Sequence, residues 1–392
     1  ALTALTSGAS NLAIVYQAMD ALTVGDNNIA IGYSAMGALS TTDVSDSNIA
    51  IGNLAMDGVS SLAATENIFI GHNSGGGSWT GTLSQRNVAI GNETMAGAMD
   101  DADYNIGMGY GVMNVLTTGS GNTSLGYGSG GNMTTGEYNT FVGADAGDAL
   151  TIGVRNTAVG RHSLSETVDV DQVVAIGYNA LGGAALTVGA SNADGTVGIG
   201  YNVMEALTSG HGNVAIGFEA LKEHNTGSRN IAIGYQANHD TGANDCPTST
   251  DNIFMGYQSG GGTWTTNDSN FNIGIGNYTL DAILNGALHN LSIGYTSMSE
   301  LTTGKANIGL GSYAAANMTT GVNNIAIGAH DGSINAALVT NTVGSYNVAI
   351  GTGALSTANE NDNDGSIAIG HEACKVQAGT GGAQFSNATI GI

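Results

Sequence analysis

A five-residue unit, Asn-aliphatic-small-aliphatic-Gly, recurs along the chain with a minimum spacing that no ordinary globular fold would impose. It is seen plainly at Asn28-Ile29-Ala30-Ile31-Gly32 and occurs 21 times, with its glycine position running from 15, where Val15 substitutes, to 391. The shortest interval, 17 residues, occurs nine times, and every other interval is longer, up to 23. A floor with only additions above it implies a coil of constant circumference whose corners accept insertions. Asn opens 18 of the 21 units, and the residue before the glycine position is Ile, Val, Leu or Met in all of them.

Alternation of large and small residues with period two makes each unit a short strand. On the usual reading of such alternation the aliphatics face the core, so Ile31, Ile51, Ile90, Ile216, Ile233, Ile327 and Ile350 are expected to be buried. Four residues after the glycine position a Met or Leu recurs, as at Met36, Leu221 and Met298, followed by turns such as Leu301-Thr302-Thr303-Gly304. This predicts a second strand and two corners per rung. Neither strand can bury a face alone, so rungs must stack. The fold expected is an all-β parallel solenoid of about 21 rungs, on the order of 100 Å long at ~4.8 Å per rung.

The glycine positions 15, 32, 71, 91, 109, 126 and 143 recur at 200, 217, 256, 276, 294, 311 and 328, each 185 residues on. The expected organisation is one continuous solenoid over 1–392 containing a ten-rung duplication, roughly 11–195 and 196–392. Tail and head add up to nearly one rung, which predicts end-to-end stacking through Ala1, Leu2 and Leu5 at one end and Ile390 and Ile392 at the other.

The Asn-x-Ala-Ile-Gly strands at Asn28–Gly32, Asn213–Gly217 and Asn230–Gly234 resemble the head repeats of trimeric autotransporter adhesins and similar repeats in bacteriophage tail-fibre shafts. The resemblance covers almost the whole chain. It implies a left-handed, usually homotrimeric β-roll that binds host surfaces or carries a tip, displayed outside a cell or on a virion.

Composition narrows the function further. Seven basic against 31 acidic residues give a formal charge of −24, which disfavours nucleic acid and anionic membrane surfaces as partners. No apolar run reaches the ~18 residues of a membrane span. The eight histidines, expected at solvated surfaces and corners, form no metal-ligand spacing. No phosphate-binding or dinucleotide motif is present. Glu360-Asn361-Asp362-Asn363-Asp364-Gly365 has the look of a calcium loop, but His371 stands where the twelfth-position Glu would be; a solvated acidic insertion is expected, with weak calcium binding as the alternative and no other cofactor. Cys374 falls in the Met/Leu column and is expected as a core thiol, too many rungs from Cys246 for a disulfide.

Two surface features are candidates for binding. Trp79 and Trp264 occupy equivalent Gly-rich loops; they either stack on a surface glycan or fold back over Phe69 and Phe254 where the Met/Leu position is Gly75 or Gly260. The small third residues, Ala30, Ala50, Ala215, Ala326 and Ala349, form a smooth strip expected to pack against another chain. A flat strip also suits ice, though no Thr ladder runs along the strands. The function expected is a non-enzymatic extracellular fibre or filament subunit that associates with itself and adheres through corner loops. A tail-fibre or adhesin head is the alternative, and a polysaccharide-acting enzyme the third reading.

Overall fold

A computed structural model describes the chain except for residues 40–44, 59–63, 80–83, 184–192, 241–247, 266, 334, 358–363, 376–389 and 392. The described residues contain no helix and 21 short strands, numbered here in chain order. The chain forms a parallel β-solenoid in two compact units, Ala1–Gly195 and Thr196–Ile392, divided where the sequence duplication places its second copy. In the first unit, β1 (Leu12–Ile14) through β10 (Val174–Ile176) pair consecutively; in the second, β11 (Val197–Ile199) through β21 (Ile390–Gly391) do the same. All pairings are parallel and place like on like: Val214, Ala215 and Ile216 oppose Ile231, Ala232 and Ile233.

The strand faces are the reverse of the sequence expectation. The Asn and the small residue point inward, with Asn28, Ala30, Asn213 and Ala215 all fully buried. The flanking aliphatics point outward: Ile31, Ile51, Ile90, Ile216, Ile233, Ile327 and Ile350 are half-buried, and Ile14 is 47% exposed. A coil closing in 17 residues has little interior room, and the Met and Leu side chains fill most of it. Only small residues fit across from them. Ala30, Ala50, Ala215, Ala326 and Ala349 are therefore core residues and cannot form the chain–chain strip expected of them.

The Asn column has its own reason to be inside. Asn122 Oδ1 accepts both the backbone N–H (2.9 Å) and the side-chain N–H (3.1 Å) of Asn139, whose Nδ2 also donates to the Gly153 carbonyl (2.8 Å). Asn139 serves Asn156 in the same way. The ladder runs from Asn11 to Asn156 in the first unit and from Asn213 to Asn347 in the second, ending on the backbone N–H groups of Val173 and Ser366. Each amide thus satisfies backbone groups that a corner would otherwise leave unpaired and buried, at about 1–3 kcal/mol apiece.

The expected second strand is not one. The Met/Leu segment is a turn in which the core residue itself is left-handed, with φ of 51° at Met36, 51° at Leu221 and 47° at Met298. The residue two earlier is left-handed too, as at Ser34 (φ 53°) and Glu219 (φ 53°). These twists swing the Met or Leu inward without a sheet ladder. The glycine ending each strand is required for a different reason. At Gly217, φ is 136° and an added Cβ would stand 2.3 Å from the Gly234 carbonyl oxygen of the next rung. Val15 takes this position at φ 93°.

Candidate interaction surface

The outward turn of the aliphatics creates a continuous surface feature along the strands of each unit. Two columns run side by side along the strands, for example Val197, Val214, Ile231, Ile253 and Ile273 beside Ile199, Ile216, Ile233, Met255 and Ile275. Every described residue of the two columns is Ile, Val, Leu, Met or Thr, so the face carries no charge in a chain of formal charge −24.

Beside these columns stands an aromatic ladder, which the sequence reading overlooked. Tyr is frequent immediately after the repeat glycine, as at Tyr33, Tyr110, Tyr201, Tyr235 and Tyr295. In the second unit Tyr201, Phe218, Tyr235 and Tyr257 stack with centroid separations of 4.8–5.3 Å, and the contacts continue edge-on through Tyr278 and Tyr295 to Tyr313, which meets His330 at a tilt. The signal was available as a fixed offset: a ring one or two places after successive glycines must stack if the rungs do.

In the first unit the ladder is interrupted, and a groove of about 240 Å³ opens at the interruption. Its walls are Tyr110, Tyr127, Asn114, Asn132, Asp145 and Asp148. The two tyrosines stack at 5.7 Å, 8° from parallel, and both are more than half exposed. The rung after Tyr127 carries Ala144 at the ladder position, so no ring covers that side. Glycines make the depression: an added Cβ at Gly128 would lie 2.7 Å from Asp145 Oδ1, and one at Gly131 would lie 2.6 Å from Asp148 Oδ1. Burial, with Asp145 and Glu166 nearby, pushes the Asp148 carboxyl above its ordinary range, while His162 pulls the other way. His162 Nδ1 sits 3.8 Å from Asp145 Oδ2.

The tryptophans are not on this surface. Trp79 and Trp264 are buried, at 1% and 0% exposure, in the corner column that Leu22, Leu116 and Leu301 hold elsewhere. Each meets its phenylalanine edge to face, Phe69 at 5.7 Å and Phe254 at 5.8 Å. Gly75 and Gly260 leave room for those phenylalanine rings, whose atoms lie 2.5 and 2.7 Å from where a Cβ would be. Of the two readings of Trp79 and Trp264, folding back over the phenylalanines is the one the structure shows, and the glycan-contact role is set aside.

The other expected positions are scattered. Ala1 is exposed, Leu2 and Leu5 are half-buried, and the Leu2 N–H donates to the Ala18 carbonyl at 3.1 Å. Ile390 pairs with Ile367 and Gly391 with Ala368, two places from the register that aligning Gly391 with Gly370 predicts, while Ile392 lies outside the described residues. Cys374 occupies the Met/Leu column as a half-buried free thiol rather than a fully buried one, and Cys246 lies outside the described residues. Most of the acidic insertion, 360–363, also lies outside them. Among the described residues no group of three or more His, Cys, Asp or Glu side chains is placed to hold a metal ion, and no helix is long and apolar enough to cross a membrane.

His224 stands at a corner, as expected of the histidines, but is not solvated there. It is fully buried in the corner Leu column, 3.2 Å from Asn230 Nδ2, and burial lowers its pKa to about 4. No protein-family profile matches the chain, and no curated protein matches it.

Proposed function

We propose that the chain is a structural fibre subunit whose rungs pack against those of other copies through the two outward aliphatic columns. The observation that carries this reading is their uninterrupted, uncharged run along the strands. A solvated face would vary in chemistry from rung to rung, yet among the described residues these positions hold only Ile, Val, Leu, Met or Thr in both units. Contiguous apolar surface beyond a few hundred Å² marks an interaction site on soluble proteins. A second copy is the partner that suits it, because identical repeats present the same spacing, one aliphatic pair per rung, to one another. The acidic residues lie off these columns, where they limit association at other faces. An extracellular or virion setting, with host adhesion, is the setting that the repeat resemblance implies for such a shaft.

Sedimentation velocity across a micromolar concentration series tests this. The wild-type chain is expected to sediment as a discrete oligomer. Ile231→Lys with Ile233→Lys, which places two cations on the outward columns, is expected to shift it to monomer without unfolding it. A wild-type chain that stays monomeric at tens of micromolar, with both isoleucines free, contradicts the proposal.

A further inference from the structure

The duplication supplies an internal comparison for the groove at Tyr110 and Tyr127. Adding 185 to each wall position gives the corresponding residues of the second unit, built on the same coil. There Tyr127-Gly128 is replaced by Ser312-Tyr313, so the ring stands one place later, and Gly111 is replaced by Thr296, Asp145 by His330 and Asp148 by Ser333. Tyr313 lies in the ladder between Tyr295 and His330, so aromatic rings occupy the corresponding place. The backbone is the same in both copies: φ is 61° at Gly128 and 61° at Tyr313. The coil therefore does not demand a glycine at 128. Glycine at 128, with the ring one place earlier at Tyr127, leaves this space open, and Asp145 and Asp148 line it where the second unit has His330 and Ser333.

We propose that this groove is a binding site for a neutral hexopyranose, such as one ring of a surface glycan. The chemistry matches a sugar ring on three counts. The uncovered side of Tyr127, above Ala144, offers an aromatic face to the C–H face of a pyranose. Asp145 and Asp148 offer acceptor oxygens to its hydroxyls, and the exposed amides of Asn114 and Asn132 offer both donors and acceptors at the rim. The volume, about 240 Å³, lies just below the range of drug-sized pockets and suits one ring rather than several. Charge selects within the sugars. Asp145, Asp148 and nearby Glu166 repel uronates and sialic acids, and the formal charge of −24 reinforces this at longer range. The same repulsion disfavours nucleotides, which would also stack on tyrosine.

Saturation-transfer NMR on the whole chain tests the site, using the methyl glycosides of glucose, galactose, mannose and N-acetylglucosamine at millimolar concentration, with galacturonate as the charged comparison. Transfer to ring C–H protons is expected for at least one neutral glycoside and not for galacturonate. Two variants localise it. Tyr127→Ala removes the aromatic face, and Gly128→Tyr installs the second unit's residue at a φ that Tyr313 already adopts. Each is expected to weaken binding roughly tenfold or more with the melting temperature held. No transfer to any of the four glycosides, transfer to galacturonate equal to theirs, or binding unchanged in both variants overturns the proposal. The readout is independent of self-association, so a negative result here leaves the fibre reading where it stood.

Discussion

His224 stands in a column that Leu207 and Leu301 hold in the same unit, and it carries a titration that those residues cannot. Its neutral form suits the buried corner, and desolvation, partly offset by a hydrogen bond involving the Gly227 backbone, lowers its pKa from 6.5 to about 4. Between these values the unfolded chain binds the proton and the folded chain does not, so stability rises with pH across the window. The full contribution is present above about pH 6.5 and is lost as pH falls towards about 4, on the order of 3 kcal/mol in all. Asp281 acts with the opposite sign: burial and Glu300 raise its pKa to about 6, so it favours the folded state as pH falls. Comparing wild type with His224→Leu cancels the Asp281 contribution. Denaturant unfolding at pH 7 and pH 4.5 is expected to show a smaller loss in the Leu variant; equal losses would place His224 in contact with solvent. Nothing at position 224 in the sequence distinguishes it from seven other histidines except its place seven residues after Gly217, the corner-Leu offset.

At the scale of one rung, the interior works by exchange between columns. The standard rung places Ala on the strand and Met or Leu on the turn, as with Ala50 and Met56. The rungs of Phe69 and Phe254 reverse this, with a large residue on the strand and glycine at the turn, and Trp in place of the corner Leu. Gly75→Met alone is expected to destabilise by several kcal/mol, since its Cβ would fall 2.5 Å from the Phe69 ring. Phe69→Ala alone leaves a cavity costing about 3–5 kcal/mol. Together they approximate the standard pair, and the double variant is expected to be more stable than either single one. Additive losses in thermal melts would show that the two positions do not share a space. This exchange was readable in the sequence, because Phe, Gly and Trp deviate together in both copies. The left-handed turn was not. A Met or Leu every rung reads as a strand position, and only closure of a 17-residue coil with one strand shows why the chain twists there instead.

For the whole repeat, the coil length, the first strand of each rung and its parallel stacking were readable from intervals between glycines, whereas the second strand expected in each rung was not there. The direction of the strand was not readable, and the cause is physical. Burying Ile and Val is the default expectation of the hydrophobic effect, and a two-residue alternation looks the same from either side. The distinguishing sign was size and constancy. Asn, a small residue and Gly share one face, and Asn holds its place in 18 of 21 units. Solvent places no such restriction on a side chain, whereas a crowded interior with an amide ladder does. The inversion moved the candidate interface from the alanine column to the isoleucine columns, and the fibre proposal follows from it. Adjacent residues of one strand test it most directly, in the thermal unfolding of Ala215→Asp and Ile216→Asp at a concentration low enough to hold both monomeric. With Ala215 inside, its replacement buries an unpaired carboxylate and should cost several kcal/mol. With Ile216 turned to solvent, its replacement should cost about 1 kcal/mol or less. The opposite order, Ile216→Asp unfolding the chain while Ala215→Asp leaves it intact, would return the aliphatics to the core and contradict the account.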